Sequence, residues 1–364
     1  MSLQDIRFSP LSYPELLGWQ QEKFEDALSA FYNSSKRLLA RKRENLQPCT
    51  PENIINCCKR CVETYSRLTT RDLAKRFFEE NFIPHRVLHS QSQGLLTGYY
   101  EPCIRGSRIE TPRFSIPILR RPDDLVNLVA ESERGAFGDS LTHACRTAEG
   151  VKPYSTRAEI ENGALKGRGL EFIWLEDRVD AFFLHIQGSG LIQFEDGSEL
   201  RITYDGKNGH PYTSVGRYLI EAGLFPADQM TLQALKDWLR ADEKRGISAM
   251  QQNRSYIFFR ELIGEEGSAP LGAMEIPLMP YRSLAIDTLY HTIGTPIFVV
   301  VPQWTHEGAR EGFRRLMIGQ DVGSAIRGPE RGDIFFGTGD KAGSLAGITK
   351  HAGNFFVLRP REGE

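Results

Sequence analysis

The sequence lacks an apolar run long enough to cross a membrane, which takes about 18 or more consecutive residues. Its best apolar run, Ile297–Val301, has the length of a strand and is bounded by Pro296 and Pro302. No membrane span is therefore expected. Residues 1–8 also lack the charged start, apolar middle and cleavage site of a signal peptide. The chain is expected either to work in the cytoplasm or to be a processed form.

An excess of charge of one sign is also missing. Lys and Arg number 45 and Asp and Glu number 47, which gives a formal net charge of -2 at pH 7. Such a balance produces no basic field, so nucleic acid is not expected as a partner. The densest basic cluster, Lys36–Arg43, is interpreted as the solvated face of a helix, with a role on an anionic surface as the alternative.

Cysteine is scarce and its spacing is ambiguous. Cys58 and Cys61 form a Cys-x-x-Cys pair, with Cys57 beside it and Cys49 upstream. A closed zinc site needs four ligands, and no second paired motif follows. Cys57 and Cys61 lie four residues apart on a predicted helix, so an apolar packing face explains them equally well.

Several common catalytic motifs are absent. We find no His-Glu-x-x-His, no Gly-x-x-x-x-Gly-Lys-Ser/Thr and no Gly-x-Ser-x-Gly. The segment Gln187–Gly190 sets a serine between two glycines without the strand-to-helix context of a nucleophile elbow. These absences disfavour zinc peptidases, phosphate-binding-loop enzymes and serine hydrolases.

The length and pattern of the chain predict two domains, one inserted in the other. A chain of 364 residues with 40% hydrophobic content can bury a large core. Residues from about 14 to 82 are predicted to be helical, with Phe24, Leu28 and Phe31 on one face, Pro51 at a first helical position and Thr70 as a cap. Beyond residue 105 we predict strands at Ile116–Leu119, Glu171–Leu175, Ala181–Gln187, Arg201–Gly206, Tyr256–Arg260 and Lys350–Leu358, helix at Val215–Leu239, and a capped helix start at Tyr154–Ile160.

Three aspartates near the end of the chain lie in apolar or glycine-bearing runs. They are found in Ser283–Asp287, Gln320–Ile326 and Arg331–Gly337. A carboxylate in such surroundings must be paired, hydrogen-bonded or used. The aspartic protease signature is similar at residues 321–324, but the second matching loop is absent.

A magnesium site is one alternative for the three aspartates, because hard cations prefer carboxylate oxygens. Their apolar neighbours favour acid catalysis instead, since desolvation raises the pKa of a carboxyl group.

Five segments together resemble the membrane-bound lytic murein transglycosylase A family with its "3D" domain, named for three aspartates. The resemblance covers roughly residues 85 to 360, in the expected order. The segments are Gly98–Pro102, Tyr154–Ile160, His185–Gly190, Ser283–Asp287, and Gln320–Ile326 with Gly332-Asp333.

The resemblance implies a mainly β fold with N-terminal helices. A double-psi β-barrel domain would carry a second, smaller β-barrel domain inserted into it, with a groove for a glycan strand between them. The implied parts are residues 1–104, a helical region and the first part of the double-psi barrel; 105–270, the inserted domain; and 271–364, the 3D domain.

The resemblance also implies the reaction and its residues. The family cleaves the β-1,4 bond between N-acetylmuramic acid and N-acetylglucosamine and leaves a 1,6-anhydromuramic end, without metal or cofactor. Asp333 falls on the catalytic position, as acid and then base. Asp321 and Asp287 would support it, and the residues expected to bind substrate are Tyr99, Tyr100, Glu101, Gln187, Ser189 and Gly190.

Two departures from this assignment are kept as alternatives. The same fold could serve a non-catalytic murein-binding protein or a glycan hydrolase, which would need a second carboxyl group across the bond. The resemblance implies the periplasm or cell envelope, peptidoglycan strands as partner, peripheral association with the outer membrane and a monomeric state. Glu101 stands where at least one other member has threonine.

Overall fold

A computed structural model describes residues 6–43, 50–90, 93–127, 143–305 and 312–361. Cys49 and residues 362–364 lie outside this range. The helices are α1 Phe24–Arg43, α2 Glu52–Thr64, α3 Arg71–Asn81, α4 Arg157–Glu159, α5 Arg178–Gln187, α6 Val215–Glu221, α7 Leu232–Ala241, α8 Glu243–Met250 and α9 Asp340–Ile348. The strands are β1 Arg7–Pro10, β2 Phe82–Leu88, β3 Gly94–Glu101, β4 Cys103–Ser107, β5 Ile116–Leu119, β6 Leu125–Asn127, β7 His143–Thr147, β8 Gly150–Lys152, β9 Glu171–Leu175, β10 Ser189–Gln193, β11 Glu199–Lys207, β12 Ile257–Leu262, β13 Ser283–Ala285, β14 Pro296–Val301, β15 Phe313–Asp321, β16 Arg331–Thr338 and β17 Lys350–Pro360.

The chain divides into two compact units. The first contains Met1–Tyr100, Leu271–Gly337 and Lys341–Glu364, and the second contains Glu101–Pro270 and Thr338–Asp340. Among the described helices, none combines the length and apolar character that crossing a membrane requires.

The predicted N-terminal helices are confirmed as α1, α2 and α3. The Thr70 hydroxyl accepts the Leu73 N–H and caps α3, as expected. Helix α2 begins at Glu52, so Pro51 occupies the capping position, one residue earlier than predicted. The helices bury aromatic side chains against the neighbouring strands, with Phe24, Phe31, Phe78, Phe298 and Leu358 in one core.

The cysteines of α2 pack in this helical core. Cys57, Cys58 and Cys61 are fully buried and form no disulfide. Burial raises the pKa of the Cys58 and Cys61 thiols to about 12. Within the described residues, no group of three His, Cys, Asp or Glu side chains is arranged to hold a metal ion. These three cysteines thus form part of an apolar packing face.

The first unit is built on an eight-stranded sheet in the order β1-β2-β17-β14-β15-β13-β16-β3. Strand β17 also pairs with β3, with Lys350 opposite Thr97 and Gly353 opposite Gly94. Six strands, from β17 through β14, β15, β13 and β16 to β3, therefore form a closed ring. The predicted strand at Lys350–Leu358 is confirmed as part of β17, and the double-psi crossing stays a prediction.

The second unit contains a six-stranded sheet in the order β12-β11-β10-β4-β9-β5 and a three-stranded sheet of β6, β7 and β8. Arg120, directly after β5, forms an isolated bridge with Phe259 of β12, so the two edges of the larger sheet meet there. The capped helix start is confirmed: the Thr156 hydroxyl accepts the Glu159 N–H, and the Glu159 side chain accepts the Thr156 N–H.

Three secondary-structure predictions need correction. Ala181–Gln187 lies in helix α5, not in a strand. The residues of this segment are buried on nearly all sides of the helix, which hides the helical period. Asp177 caps the start of α5, and Gly188, at φ 82°, ends it. Segment Val215–Leu239 is broken into α6 and α7 around Pro226. Helices and strands take similar shares of the described residues, so the fold is mixed rather than mainly β.

Candidate active site

Two of the three aspartates lie on neighbouring positions of the closed ring. Strand β13 pairs with β15 on one side and with β16 on the other, and Ala285 is in register with Asp321 and with Asp333. Residues opposite each other on paired strands point to the same face of a sheet. The two carboxyl groups therefore share a face, with Cα atoms roughly 10 Å apart over two strand spacings.

The Asp333 carboxyl is half-buried and receives one hydrogen bond. The Thr97 hydroxyl donates to its Oδ1 at 2.5 Å, and Arg331 Nη2 donates to that hydroxyl oxygen at 2.8 Å. Burial raises the pKa of Asp333 to about 6; the charge of Arg331 and the Thr97 hydrogen bond oppose this, and the nearby Asp321 adds to it. The carboxyl can thus hold or release a proton near neutral pH.

The Asp321 carboxyl is more fully hydrogen-bonded. Its Oδ1 accepts the backbone N–H groups of Ala273 and Val322, each at 2.9 Å, and its Oδ2 accepts the Tyr99 hydroxyl at 2.9 Å. Burial raises the pKa of Asp321, and these three donors oppose that increase. Burial, with the charge of Asp321, raises the pKa of Tyr99 well above its usual value, so the phenol stays a donor.

The two carboxyl groups therefore differ in what they can do. Both oxygens of Asp321 are occupied by donors, whereas Oδ2 of Asp333 has no hydrogen-bond partner among the described residues. Since the Thr97 hydroxyl donates to Oδ1, the proton of a neutral Asp333 is left to Oδ2. Of the two groups, Asp333 therefore keeps more capacity for a further hydrogen bond.

Asp287 supports the loop between the other two aspartates and is not hydrogen-bonded to either of them. It is fully buried, with 2% of its surface exposed. Its Oδ2 accepts the Gly328 N–H at 2.8 Å, and its Oδ1 accepts the Leu289 N–H at 3.2 Å. Gly328 lies in the connection of residues 322–330 that joins β15 to β16.

Two family models match the chain. The MltA specific insert domain matches residues 95–260, and the 3D domain matches residues 282–359. The membrane-bound lytic murein transglycosylase A of Vibrio cholerae is 38% identical over 208 residues, which are 56% of this chain and 55% of that protein. The protein of the same name from Escherichia coli K12 is 33% identical over 272 residues, which are 73% of this chain and 66% of that protein. The chain thus aligns with about half to two thirds of the length of these curated relatives.

Solved structures match over nearly the whole chain. A membrane-bound lytic murein transglycosylase from Agrobacterium tumefaciens is 34% identical with a TM-score of 0.88, covering 97% of this chain and 98% of that one. MltA from Neisseria gonorrhoeae is 33% identical with a TM-score of 0.79, covering 100% and 95%. This chain belongs to the membrane-bound lytic murein transglycosylase A family. A third similar structure of the family, E. coli MltA with bound chitohexaose, is 27% identical with a TM-score of 0.69, covering 98% and 95%.

The tyrosines of the family motif have different surroundings. Tyr99 is half-buried, bonds to Asp321, and its ring centroid lies 5.2 Å from that of Phe335. Tyr100 is buried and packs on α9, where a Cβ at Gly343 would lie 2.7 Å from its ring. Gly343 therefore permits the close approach of α9 to this tyrosine.

The remaining predicted site residues lie in the second unit. Glu101 is fully buried, pairs with Arg201 at 3.0 Å and accepts the Thr338 hydroxyl at 2.7 Å. Burial raises the pKa of Glu101, and Thr338 and Arg201 oppose that increase. Gln187 ends α5 half-buried, and Ser189 and Gly190 begin β10 as buried residues.

Sequence reasoning missed three parts of the site in this member of the family. Thr97 and Arg331 each lie two residues before a predicted site residue, Tyr99 and Asp333, on the same face of their strands. The period of a strand could have indicated both. The third, the backbone N–H of Ala273, leaves no side-chain signal.

Proposed function

We propose that this chain is a peptidoglycan lytic transglycosylase, a carbon–oxygen lyase that acts on glycan strands. Its relatives are named membrane-bound lytic murein transglycosylase A, and a similar structure was solved with chitohexaose, an oligosaccharide. The observation that carries the proposal is the half-buried Asp333, whose pKa of about 6 and unoccupied Oδ2 suit an acid that becomes a base.

In the proposed reaction, neutral Asp333 gives the proton on Oδ2 to the glycosidic oxygen while the bond from that oxygen to the anomeric carbon of muramic acid breaks. The resulting carboxylate then takes the proton of the muramic C6 hydroxyl, whose oxygen bonds to the same anomeric carbon. One glycosidic bond breaks and one intramolecular bond of the same acetal type forms, from O6 to the anomeric carbon. The proton count of Asp333 is unchanged, and no water is consumed.

Thr97 and Arg331 prepare Asp333 for both steps. Because the Thr97 oxygen accepts a hydrogen bond from Arg331, its own hydrogen is directed to Oδ1 of Asp333. This bond and the positive charge of Arg331 favour the carboxylate, which opposes the effect of burial. The balance of these opposing effects keeps the pKa of Asp333 near neutral pH, where the group can act as acid and as base.

Among the residues that the structure describes, Asp321 is the carboxyl whose charge raises the pKa of Asp333, and a hydrolase could use it as its second group. The spacing of the two strands is compatible with the roughly 6.5–9.5 Å between the carboxyl groups of inverting glycosidases. Its three hydrogen-bond donors, however, engage both oxygens and reduce the capacity of this carboxylate to activate a water. We therefore propose that Asp321 positions Tyr99 and that Asp287 supports the connecting loop.

The substrate contacts stay predictions. Tyr99, Gln187, Ser189 and Gly190 are proposed to contact the glycan. Tyr100 and Glu101 were expected in the same role, and their burial favours support of neighbouring elements.

The wider setting follows from the substrate. We propose that the chain acts in the cell envelope, at the periplasmic side, as a monomer on peptidoglycan strands. The division into residues 1–104, 105–270 and 271–364, and the double-psi barrel, belong to the same proposal.

Product analysis tests the function directly. Purified murein is digested with the chain, and the released muropeptides are separated and weighed by mass spectrometry. Anhydromuramic ends are expected from the wild type and from Asp72→Asn, a matched change at an exposed aspartate. Asp333→Asn should release no product while still binding sacculi. Reducing ends without anhydro sugar would establish a hydrolase, and binding without product from the wild type would establish a non-catalytic protein.

A further inference from the structure

A tight turn at residues 272–276 lies directly on the end of β15. The Gly272 N–H donates to Ile276 O at 3.2 Å and the Glu275 N–H to Gly272 O at 2.8 Å. A Cβ at Gly272 would lie 2.8 Å from the carbonyl oxygen of Gln320. From this turn, the Ala273 N–H donates to Asp321 Oδ1. The position of the turn thus determines one of the three hydrogen bonds on that carboxyl.

The turn contains an unfavourable backbone conformation. Glu275 has φ 56°, and the other described non-glycine residue with positive φ is Tyr281. A side chain with a Cβ is disfavoured in this left-handed region, and such residues persist where their surroundings hold them in place. Contacts outside the turn are therefore needed to keep it in this form.

Helix α1 supplies those contacts through Arg37. The Arg37 Nε–H donates to Met274 O at 3.1 Å, and Nη2 forms an ion pair with the Glu275 carboxylate. Met274 between them is fully buried in the helical core. The guanidinium group of Arg37 thus joins both the backbone and a side chain of the turn to α1. The sequence pattern had assigned Arg37 to a solvated helix face.

We propose that Arg37 is a positioning residue for the Asp321 carboxyl. It keeps Glu275 in the left-handed conformation and thereby keeps the Ala273 N–H on Asp321, which in turn accepts the Tyr99 hydroxyl. The inference rests on the proposed function only for its effect on turnover. The contact between Ala273 and Asp321 can be tested without any activity.

The first measurement is the rate of release of anhydromuropeptides. Arg37→Met should lower kcat roughly three- to ten-fold, as expected for weakening one hydrogen bond at the site, with KM nearly unchanged. Lys36→Met is the matched control, because Lys36 is the preceding residue on α1, carries the same charge and contacts the Tyr32 ring. An equal loss of kcat in Lys36→Met would overturn the proposal.

The second measurement follows the Ala273 amide by NMR in chain labelled with 15N-alanine, with Ala273→Gly to assign the signal. Arg37→Met should speed hydrogen exchange at this amide. Adding Glu275→Gly should restore both protection and kcat, since glycine adopts the turn's φ without strain. An unchanged amide in Arg37→Met would refute the positioning role. If the wild type releases no anhydro sugar, the proposed function fails, and the amide signal still decides the role of Arg37.

Discussion

Replacing Thr97 by valine tests how the neighbouring residues control the pKa of Asp333. Valine has nearly the same shape, but it cannot donate to Asp333 Oδ1 or accept from Arg331 Nη2. In the wild type, the hydrogen bond from Thr97 favours the carboxylate form of Asp333. Removing this bond favours the neutral acid and therefore raises the pKa of Asp333. The direction of the change is therefore fixed by the geometry.

The size follows from the energy of such a bond. A hydrogen bond to a charged group contributes about 1.5–3 kcal/mol, and one pKa unit corresponds to about 1.36 kcal/mol. These values give an increase of about 1–2 units, and we expect the lower end because Asp333 is half-buried and water can partly replace the hydroxyl. The pKa of Asp333 in the free enzyme should move from about 6 to about 7.

The assay is the pH profile of kcat/KM for release of anhydromuropeptides, which reports the free enzyme. The limb governed by Asp333 should move to higher pH by about one unit in Thr97→Val. Thr97→Ser should leave it in place, and Thr64→Val on α2 serves as a control for the same change elsewhere. If Thr97→Val lowers the rate but leaves the Asp333 limb of the pH profile at the same pH, Thr97 does not control the pKa of Asp333.

Three further predictions concern stability. Asp333→Asn should raise the free energy of unfolding by up to about 3 kcal/mol at pH 8, because burial disfavours the wild-type carboxylate above its raised pKa of about 6. In denaturant unfolding, this gain should disappear as the pH falls to about 4. A gain that does not change with pH would count against the assigned pKa. Gly343→Ala should destabilise the chain by about 1–3 kcal/mol through its clash with Tyr100, seen as a lower melting temperature than for Gly216→Ala on α6, where the nearest atom to an added Cβ lies at 3.4 Å. Phe78→Ala should cost about 3–5 kcal/mol, measured by the same unfolding, since this ring is fully buried among other aromatic residues; a small loss would mean that the core refills the cavity.

The strands of the ring could be predicted because their patterns are local. Ile297–Val301 is apolar and bounded by prolines, and it forms β14 as the pattern indicates. The aspartates stood out because they interrupt apolar runs, and two of them, Asp321 and Asp333, do lie on paired strands. Local pattern is sufficient for such elements.

The errors arose where burial or distance hides the pattern. Helix α5 has apolar residues on nearly all sides, so its period could not be distinguished from that of a buried strand. The bonds of Thr97 and Ala273 join residues far apart in the chain, Thr97 to Asp333 and Ala273 to Asp321. Such contacts depend on topology, which spacing alone does not give.

Closure of the ring by β17 also affects the timing of folding. Its partner β3 is synthesised about 250 residues earlier, so a nascent chain holds Thr97 and Tyr99 long before the strand that completes their sheet has left the ribosome. Pairings of such high contact order are slow to form. Proton-transfer geometry at Asp333 should therefore arise only after translation of this strand, and a chain cut before Lys350 should be inert.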